Sequence, residues 1–282
     1  MQPAKAPSIT SGGAAMPVVG YGTMLFPEPD RAVELIVHAL EYGYRHIDTA
    51  RKYGSEQWVG EGIRSSGIAR DELWVTTKVT EENARADDFA RSLDTSLTTL
   101  RLDYVDLLLI HWPQPKVPLA ETLGALAKAK RDGLARNIGV SNFTVALVDE
   151  AVAVCPEPLF TNQIEYHAYL RQDKVLAACA RHGLTVTCYA PIARGRLLDD
   201  PVIGEIASVH GKTAAQVALR WLVQQPGIAV VPRALEFGEI EEDIDLFDFQ
   251  LGDDEMERIG ALRDKNIRVV DPEARRPTWD VG

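Results

Sequence analysis

Three residues able to handle a proton close short apolar runs, and a fourth follows one of them. Asp48 closes the run that begins at Tyr44, and Tyr53 follows it by five residues. Lys78 closes Leu73–Lys78 (LWVTTK), and His111 closes Tyr104–His111 (YVDLLLIH). A free phenol titrates near 10, too high to donate readily at neutral pH. A lysine beside its oxygen is expected to lower that value, and an aspartate paired with the lysine to hold it charged and placed. A histidine meeting the same substrate oxygen would fix a carbonyl. Asp48, Tyr53, Lys78 and His111 therefore form a reasonable acid-catalyst set for reducing a carbonyl, with no obvious nucleophile and no metal cage.

A second set suits a ligand. Ser141, Asn142 and Gln163 offer hydroxyl and amide groups to a carboxamide, and Tyr189 offers a flat face to an aromatic ring. A carboxamide on an aromatic ring describes nicotinamide. Singly, each residue has a plainer reading: a solvated lysine, a capping histidine, a rim tyrosine, an aspartate satisfying a backbone amide. Jointly, seven of eight predicted strands deliver a polar group to one rim, which independent accidents would not produce.

The elements that must position them alternate between short apolar runs and helical patterns. Pro17–Gly22 is the first strand candidate, after a Gly-rich, hairpin-like lead-in. Asp30–Tyr42 follows as a helix, with Val33, Ile36, Val37 and Leu40 on one face and Gly43 at its end. Tyr44–Asp48, Leu73–Lys78, Tyr104–His111, Arg136–Ser141, Leu159–Glu165, Leu184–Tyr189 and Gly227–Pro232 complete eight strands. Helical patterns separate most of them, one opening on the capping box of Thr213 and Gln216. Eight strands with about eight helices imply a parallel sheet, and a closed (β/α)8 TIM barrel is the economical solution, with its active site at the C-terminal face of the strands. A single domain over 1–282 is expected, with an irregular tail from about 264 to 282. An open dinucleotide-binding sheet would show a GxGxxG turn after a strand. The nearest approach, Gly60-Glu61-Gly62, falls inside a predicted helix.

Bulk properties narrow the partners. The chain has 282 residues, 46% of them hydrophobic, and a formal net charge of −11. That charge argues against nucleic acid or an anionic membrane as the main partner while allowing a local basic pocket for phosphate. Three scattered cysteines, Cys155, Cys179 and Cys188, support neither a disulfide framework nor a zinc site. No apolar run reaches membrane-spanning length, so a cytoplasmic protein is expected, and no heptad or apolar stripe argues against a monomer.

From Ile9 to about Asp280 the sequence resembles the aldo-keto reductase family. The matching motifs occur in order: GYRHIDTA with Tyr53 and VGEGI, TTK, HWP, IGVSNF, NQIEYHAY, and Tyr189-Ala190-Pro191. The short segment after HWP and the ending RVVDPEARRPTWD resemble the bacterial diketogluconate and methylglyoxal reductase branch. The resemblance implies Tyr53 as general acid, tuned by Lys78 and Asp48, with His111 orienting a small carbonyl substrate and hydride passing directly from NADPH. It implies cofactor contacts at Gly22, Thr23, Ser141, Asn142, Gln163, Tyr189, Ala190, Ile192, Arg233 and Glu236. Met24 and Trp112 are implied in the substrate pocket.

Three departures qualify those implications. Ala234 stands where the family has a serine, and Glu236 and Glu239 stand where a hydroxyl and an arginine hold the 2′-phosphate of NADPH. Carboxylates repel that dianion and can accept from a ribose 2′-OH, so weakened discrimination against NAD is expected. Met24 replaces a common aromatic pocket residue, and a flexible thioether adapts its shape. The loop after HWPQP is short, so little is expected to cover the site. A nucleotide-binding sensor on the same barrel is the competing function, and the complete catalytic set disfavours it. A metal-assisted hydrolase lacks ligands, because only Asp48 and His111 converge.

Overall fold

A parallel sheet of short, buried strands leaves two unpaired edges, and closure removes both. The computed structural model describes residues 6–26 and 28–280, so the last two residues of the predicted tail lie outside it. The chain begins with an antiparallel hairpin, β1 (Ser8–Ser11) and β2 (Ala14–Pro17), turning at Gly12 and Gly13, both at positive φ. The barrel strands are β3 (Tyr21–Gly22), β4 (His46–Asp48), β5 (Trp74–Val79) and β6 (Val105–Ile110), followed by β7 (Ala135–Ser141), β8 (Thr161–Glu165), β9 (Thr185–Tyr189) and β10 (Ile228–Val230). Each pairs in parallel with the next. Between the ends, Gly20 N–H donates to Val230 O and Val230 N–H to Val18 O, both at 2.8 Å, around the Val19–Val230 bridge. The sheet is a closed (β/α)8 barrel.

The helices are α1 (Pro29–Tyr42), α2 (Glu56–Ser66), α3 (Ala86–Leu100), α4 (Leu119–Arg131) and α5 (Val145–Val154), then α6 (Asp173–Arg181), α7 (Pro201–His210), α8 (Ala214–Val223), α9 (Phe237–Ile244) and α10 (Asp253–Ala261). Their apolar faces meet the outward strand residues in one large core. None of the described helices is long and apolar enough to cross a membrane.

Two sequence expectations need correcting. Pro17–Gly22 is not one strand: Pro17 belongs to the hairpin, and only Tyr21–Gly22 lies in the barrel ladder, entered through the Val19 bridge. Helix α7 was not anticipated, although Asp200 followed by Pro201 is an N-terminal signature. Asp200 Oδ1 accepts the Val202 N–H at 2.9 Å, while Ile203, Ile206 and Ala207 are buried. The capping box of Thr213 and Gln216 does open α8. Gly60 and Gly62 lie in α2, where a methyl on Gly60 would come within 2.2 Å of the Leu100 carbonyl oxygen.

Inside the barrel, side chains two apart share a face. His46, one step below Asp48, lies against Gly20, where an added methyl would come 2.5 Å from the ring, and is 3.2 Å from the Thr76 hydroxyl. Burial holds this imidazole neutral, its pKa lowered to about 4.

Outside the barrel, Asp243 of α9 is buried, and burial, then the charges of Glu239 and Glu242, push its carboxyl up to about 8. An unfolded aspartate titrates at about 3.9, so the folded state keeps a proton that the unfolded state releases. Stability is therefore lost as pH rises from the unfolded value through the folded one. Asp243→Asn removes this loss. The gain in melting temperature over the parent should widen between acidic conditions and pH values above the folded pKa; a gap independent of pH would contradict the assignment.

Candidate active site

Strand ends β4 and β5 bring the first pair together. Lys78 is fully buried, and an ammonium has three donors and no acceptor. Its Nζ lies 2.5 Å from Asp48 Oδ1, 2.8 Å from the Thr49 carbonyl and 3.4 Å from the Tyr53 hydroxyl. The other oxygen of Asp48 accepts from Gln163 Nε2 at 2.7 Å. Tyr53 reaches the group from a 3-10 turn, Arg51–Tyr53, that ends at Gly54 with φ 69°. Behind this turn Ser55 starts α2, its hydroxyl 3.2 Å from those of both Thr23 and Thr49.

Charge at the site follows from burial against partners. Burial is the largest effect and would lower the Lys78 pKa, but Asp48 and then Tyr53 together outweigh it, so the net shift is upward and the lysine stays charged. For Tyr53 the expected downward shift does not occur. Burial raises it and Asp48 adds to the rise, outweighing the opposing charges of Lys78 and Arg275. The phenol therefore holds its proton at neutral pH. Since Lys78 can only donate to the phenol oxygen, the phenol's own hydrogen is free for another acceptor. His111 meets Tyr53 edge-on, with ring centroids 5.6 Å apart. Burial, then the charges of Lys78, Arg275 and Lys52, hold its pKa well below the ordinary value, so the imidazole is neutral. Among the described residues its Nδ1 is enclosed without a partner, leaving Nε2 to meet a ligand.

The second set forms the adjoining wall of one cleft of about 550 Å³. Ser141 Oγ donates to the Gln163 carbonyl at 2.8 Å, Asn142 Nδ2 donates to the His111 carbonyl at 2.9 Å, and the Tyr189 hydroxyl donates to Asn142 Oδ1 at 2.6 Å. Asn142 and Ala190 hold positive φ, which turns the chain sharply at the ends of β7 and β9. Gly22, Thr23, Ala190, Ile192 and Arg233 also line the cleft, as do Met24 and Trp112. A methyl at Gly22 would stand 2.9 Å from the Val231 carbonyl, so only glycine permits this strand crossing. The wall's amides, the Tyr189 ring and the arginines beyond them fit a nicotinamide dinucleotide: a flat carboxamide-bearing ring at one end and phosphates at the other.

Glu236 lies outside the cleft lining; its side chain is 75% exposed and lies 3.3 Å from Arg31. Glu239 turns back to the start of α9, its carboxylate accepting the N–H groups of Leu235 and Glu236 at 3.1 and 3.4 Å. Ala234 is buried, and its carbonyl accepts from the Tyr21 hydroxyl at 2.8 Å.

The expectation of a little-covered site also fails, because the irregular tail crosses it. The fully buried Glu165 carboxylate accepts the Val269 and Val270 N–H groups at 2.6 and 2.8 Å. Asp280 accepts the Val145 N–H at 2.9 Å. Between these anchors Trp279 packs edge-on against Trp112, with centroids 6.1 Å apart, and Val270 and Arg275 enter the cleft wall. The sequence reading named no site residue here, although Glu165 lies in NQIEYHAY and Arg275 in the ending that marked the branch. Lys52 and Arg194 line the cleft as well and were likewise passed over.

Comparison with known proteins agrees with this geometry. The Aldo/keto reductase family profile matches residues 18–264. The methylglyoxal reductase DkgB of Escherichia coli O157:H7 is 43% identical over 269 residues, covering 94% of this chain and 100% of the relative. The glyoxal reductase of Bacillus subtilis (strain 168) is 39% identical over 257 residues, 91% and 92% of the two chains. A crystal structure named provisionally as a 2,5-diketo-D-gluconic acid reductase B superposes with a TM-score of 0.95 at 43% identity, covering 98% of each chain. The Bombyx mori aldo-keto reductase in complex with NADP gives 0.89 at 34% identity, covering 95% of this chain and 96% of that one. With barrel, cleft and polar rim in place, the chain belongs to the aldo/keto reductase family and is an NAD(P)H-dependent oxidoreductase acting on carbonyl compounds.

Proposed function

We propose that the chain is a single barrel domain that reduces small aldehydes, ketones and dicarbonyls of the methylglyoxal and glyoxal type to alcohols, with Tyr53 as general acid. One observation carries the reading: the buried Lys78 ammonium joins Asp48 to the Tyr53 oxygen. A substrate carbonyl oxygen accepts the Tyr53 proton, and His111 fixes its position through the ring nitrogen that faces the cleft. The phenolate left behind gains the full attraction of Lys78, which the neutral phenol does not, so the pair favours the transition state over the ground state. Ser141, Asn142, Gln163 and Tyr189 hold a nicotinamide ring against the substrate, and Arg194 and Arg233 face the rest of the cofactor. When bound, the reduced cofactor supplies the hydride.

General acids contribute about 100- to 10,000-fold. Tyr53→Phe should therefore abolish detectable turnover while retaining cofactor affinity, read by quenching of tryptophan fluorescence. Turnover at the parent rate would remove Tyr53 from the acid role.

The same reading extends to cofactor choice. With Glu239 already occupying the N–H groups at the start of α9, and no serine beside Arg233, a 2′-phosphate gains less here than the family pattern provides. NADPH should be preferred only weakly over NADH in steady-state kcat/KM. A preference of several orders of magnitude would contradict this.

A further inference from the structure

Tyr53 enters the cleft from the short Arg51–Tyr53 turn, and its oxygen meets Lys78 Nζ at 3.4 Å, the longest of that ammonium's three contacts. A small swing of the turn would break the contact, so whatever steadies the turn bears on the acid. Arg51 reaches back to Glu56 of α2, at 3.5 Å. Lys52, which lines the cleft beside Tyr53, reaches across the rim instead. Its Nζ donates to Glu81 Oε1 at 3.1 Å and to Glu82 Oε1 at 3.0 Å, both in the 3-10 turn Glu81–Asn83 that follows β5. The two carboxylates differ in setting. The Glu82 side chain is 62% exposed, and a pair of that kind is screened and contributes little. Glu81 is buried.

Glu81 is also held by two other rim segments. Arg275 of the tail places Nη1 3.6 Å from the same Oε1, an ion pair beyond hydrogen-bond reach. Gln114, in the segment after His111, donates its Nε2 to the Glu81 carbonyl at 3.3 Å. Asn83 closes the turn, its backbone and side-chain N–H groups both meeting Thr80 at 3.0 Å. Among the described residues Glu81 Oε2 is enclosed without a partner. A buried carboxylate with one oxygen unpaired is costly, and attraction to a partner often fails to offset the lost hydration. Stability is thus a poor account of Glu81, and position is a better one. One side of it is fixed by the tail and the segment after His111; the other grips the neighbour of Tyr53.

We propose that Glu81 is a positioning residue for carbonyl reduction: its buried carboxylate, fixed by Arg275 and Gln114, grips Lys52 and so sets the Tyr53 turn over the Lys78 ammonium. This inference rests on the reductase reading and adds to it a residue outside the cleft lining that acts through Lys52.

Hydride transfer read as a single turnover tests it: enzyme loaded with NADPH is mixed with saturating methylglyoxal, and rates are taken per cofactor-binding site. Displacing a group by about 1 Å can cost about 100-fold, so Glu81→Gln, similar in size and uncharged, should slow this step by about 10- to 100-fold. The dissociation constant of NADPH should stay unchanged, because Ser141, Asn142, Gln163 and Tyr189 stand on other strand ends. Lys52→Met should give a loss of like size, and the double variant no more than either alone, since both act through one contact. Counting sites by cofactor binding removes unfolded protein from the rate. An unchanged rate in Glu81→Gln, even with a lowered melting temperature, reduces Glu81 to rim packing and overturns the inference. Losses that multiply in the double variant, or cofactor affinity that falls as far as the rate, overturn it as well. A parent that does not reduce methylglyoxal overturns the reductase reading and this inference with it.

Discussion

A lysine with no solvent exposure and an aspartate beside it fix the chemistry of this barrel. Taking a charge out of water costs several kcal/mol per ion, and only close partners offset it. Lys78 finds them in Asp48 Oδ1, the Thr49 carbonyl and the Tyr53 oxygen; Asp48 finds the second of its own in Gln163. Removing either member would strand a buried charge at a cost of about 3–5 kcal/mol. The pair is thus poorly explained as a stabilising device. It is better understood as a positive charge held dry next to a phenol, in a place where low dielectric makes it felt.

The rest of the molecule can be seen as what this pair requires. A closed parallel barrel puts every strand end on one rim, and the pleat aims Asp48 and Lys78 inward at neighbouring ends. The Arg51–Tyr53 turn lowers Tyr53 onto the lysine, with the hydroxyls of Thr23, Thr49 and Ser55 packed beneath. His111, neutral because it is buried beside cations, adds hydrogen-bonding capacity without a second charge. The tail then narrows the entrance, and Glu165 holds it by two backbone N–H groups. A barrel open at its rim is so converted into a walled cleft of about 550 Å³.

Much of this was legible in the sequence, and the reasons for the rest are physical. Strand ends are legible because a short apolar run ending in Asp, Lys or His leaves little ambiguity, and fifteen of the sixteen named site residues line the cleft or form the buried ion pair behind it. The direction of the Tyr53 shift was misjudged because the lysine was visible and the burial was not. Nothing in a helix-start pattern reveals that Glu236 pairs with Arg31, which lies 205 positions away. The tail escaped for a similar reason. Irregular backbone has no periodicity, and its anchors, Glu165 with Val269 and Val270, are contacts across the chain. Helix α7 is the exception, since its Asp-Pro start could have been read locally.

The central claim is that Tyr53 stays protonated in the free enzyme while a charged Lys78 stands ready to stabilise its phenolate. Titration of the Tyr53 ring by carbon-13 NMR at Cζ, in cofactor-free protein and in Lys78→Met, tests it most directly. The account predicts an ionisation above that of an ordinary phenol in the parent, moving higher still when the lysine is removed. Ionisation below the ordinary value in the parent, or a downward move on losing Lys78, would contradict it.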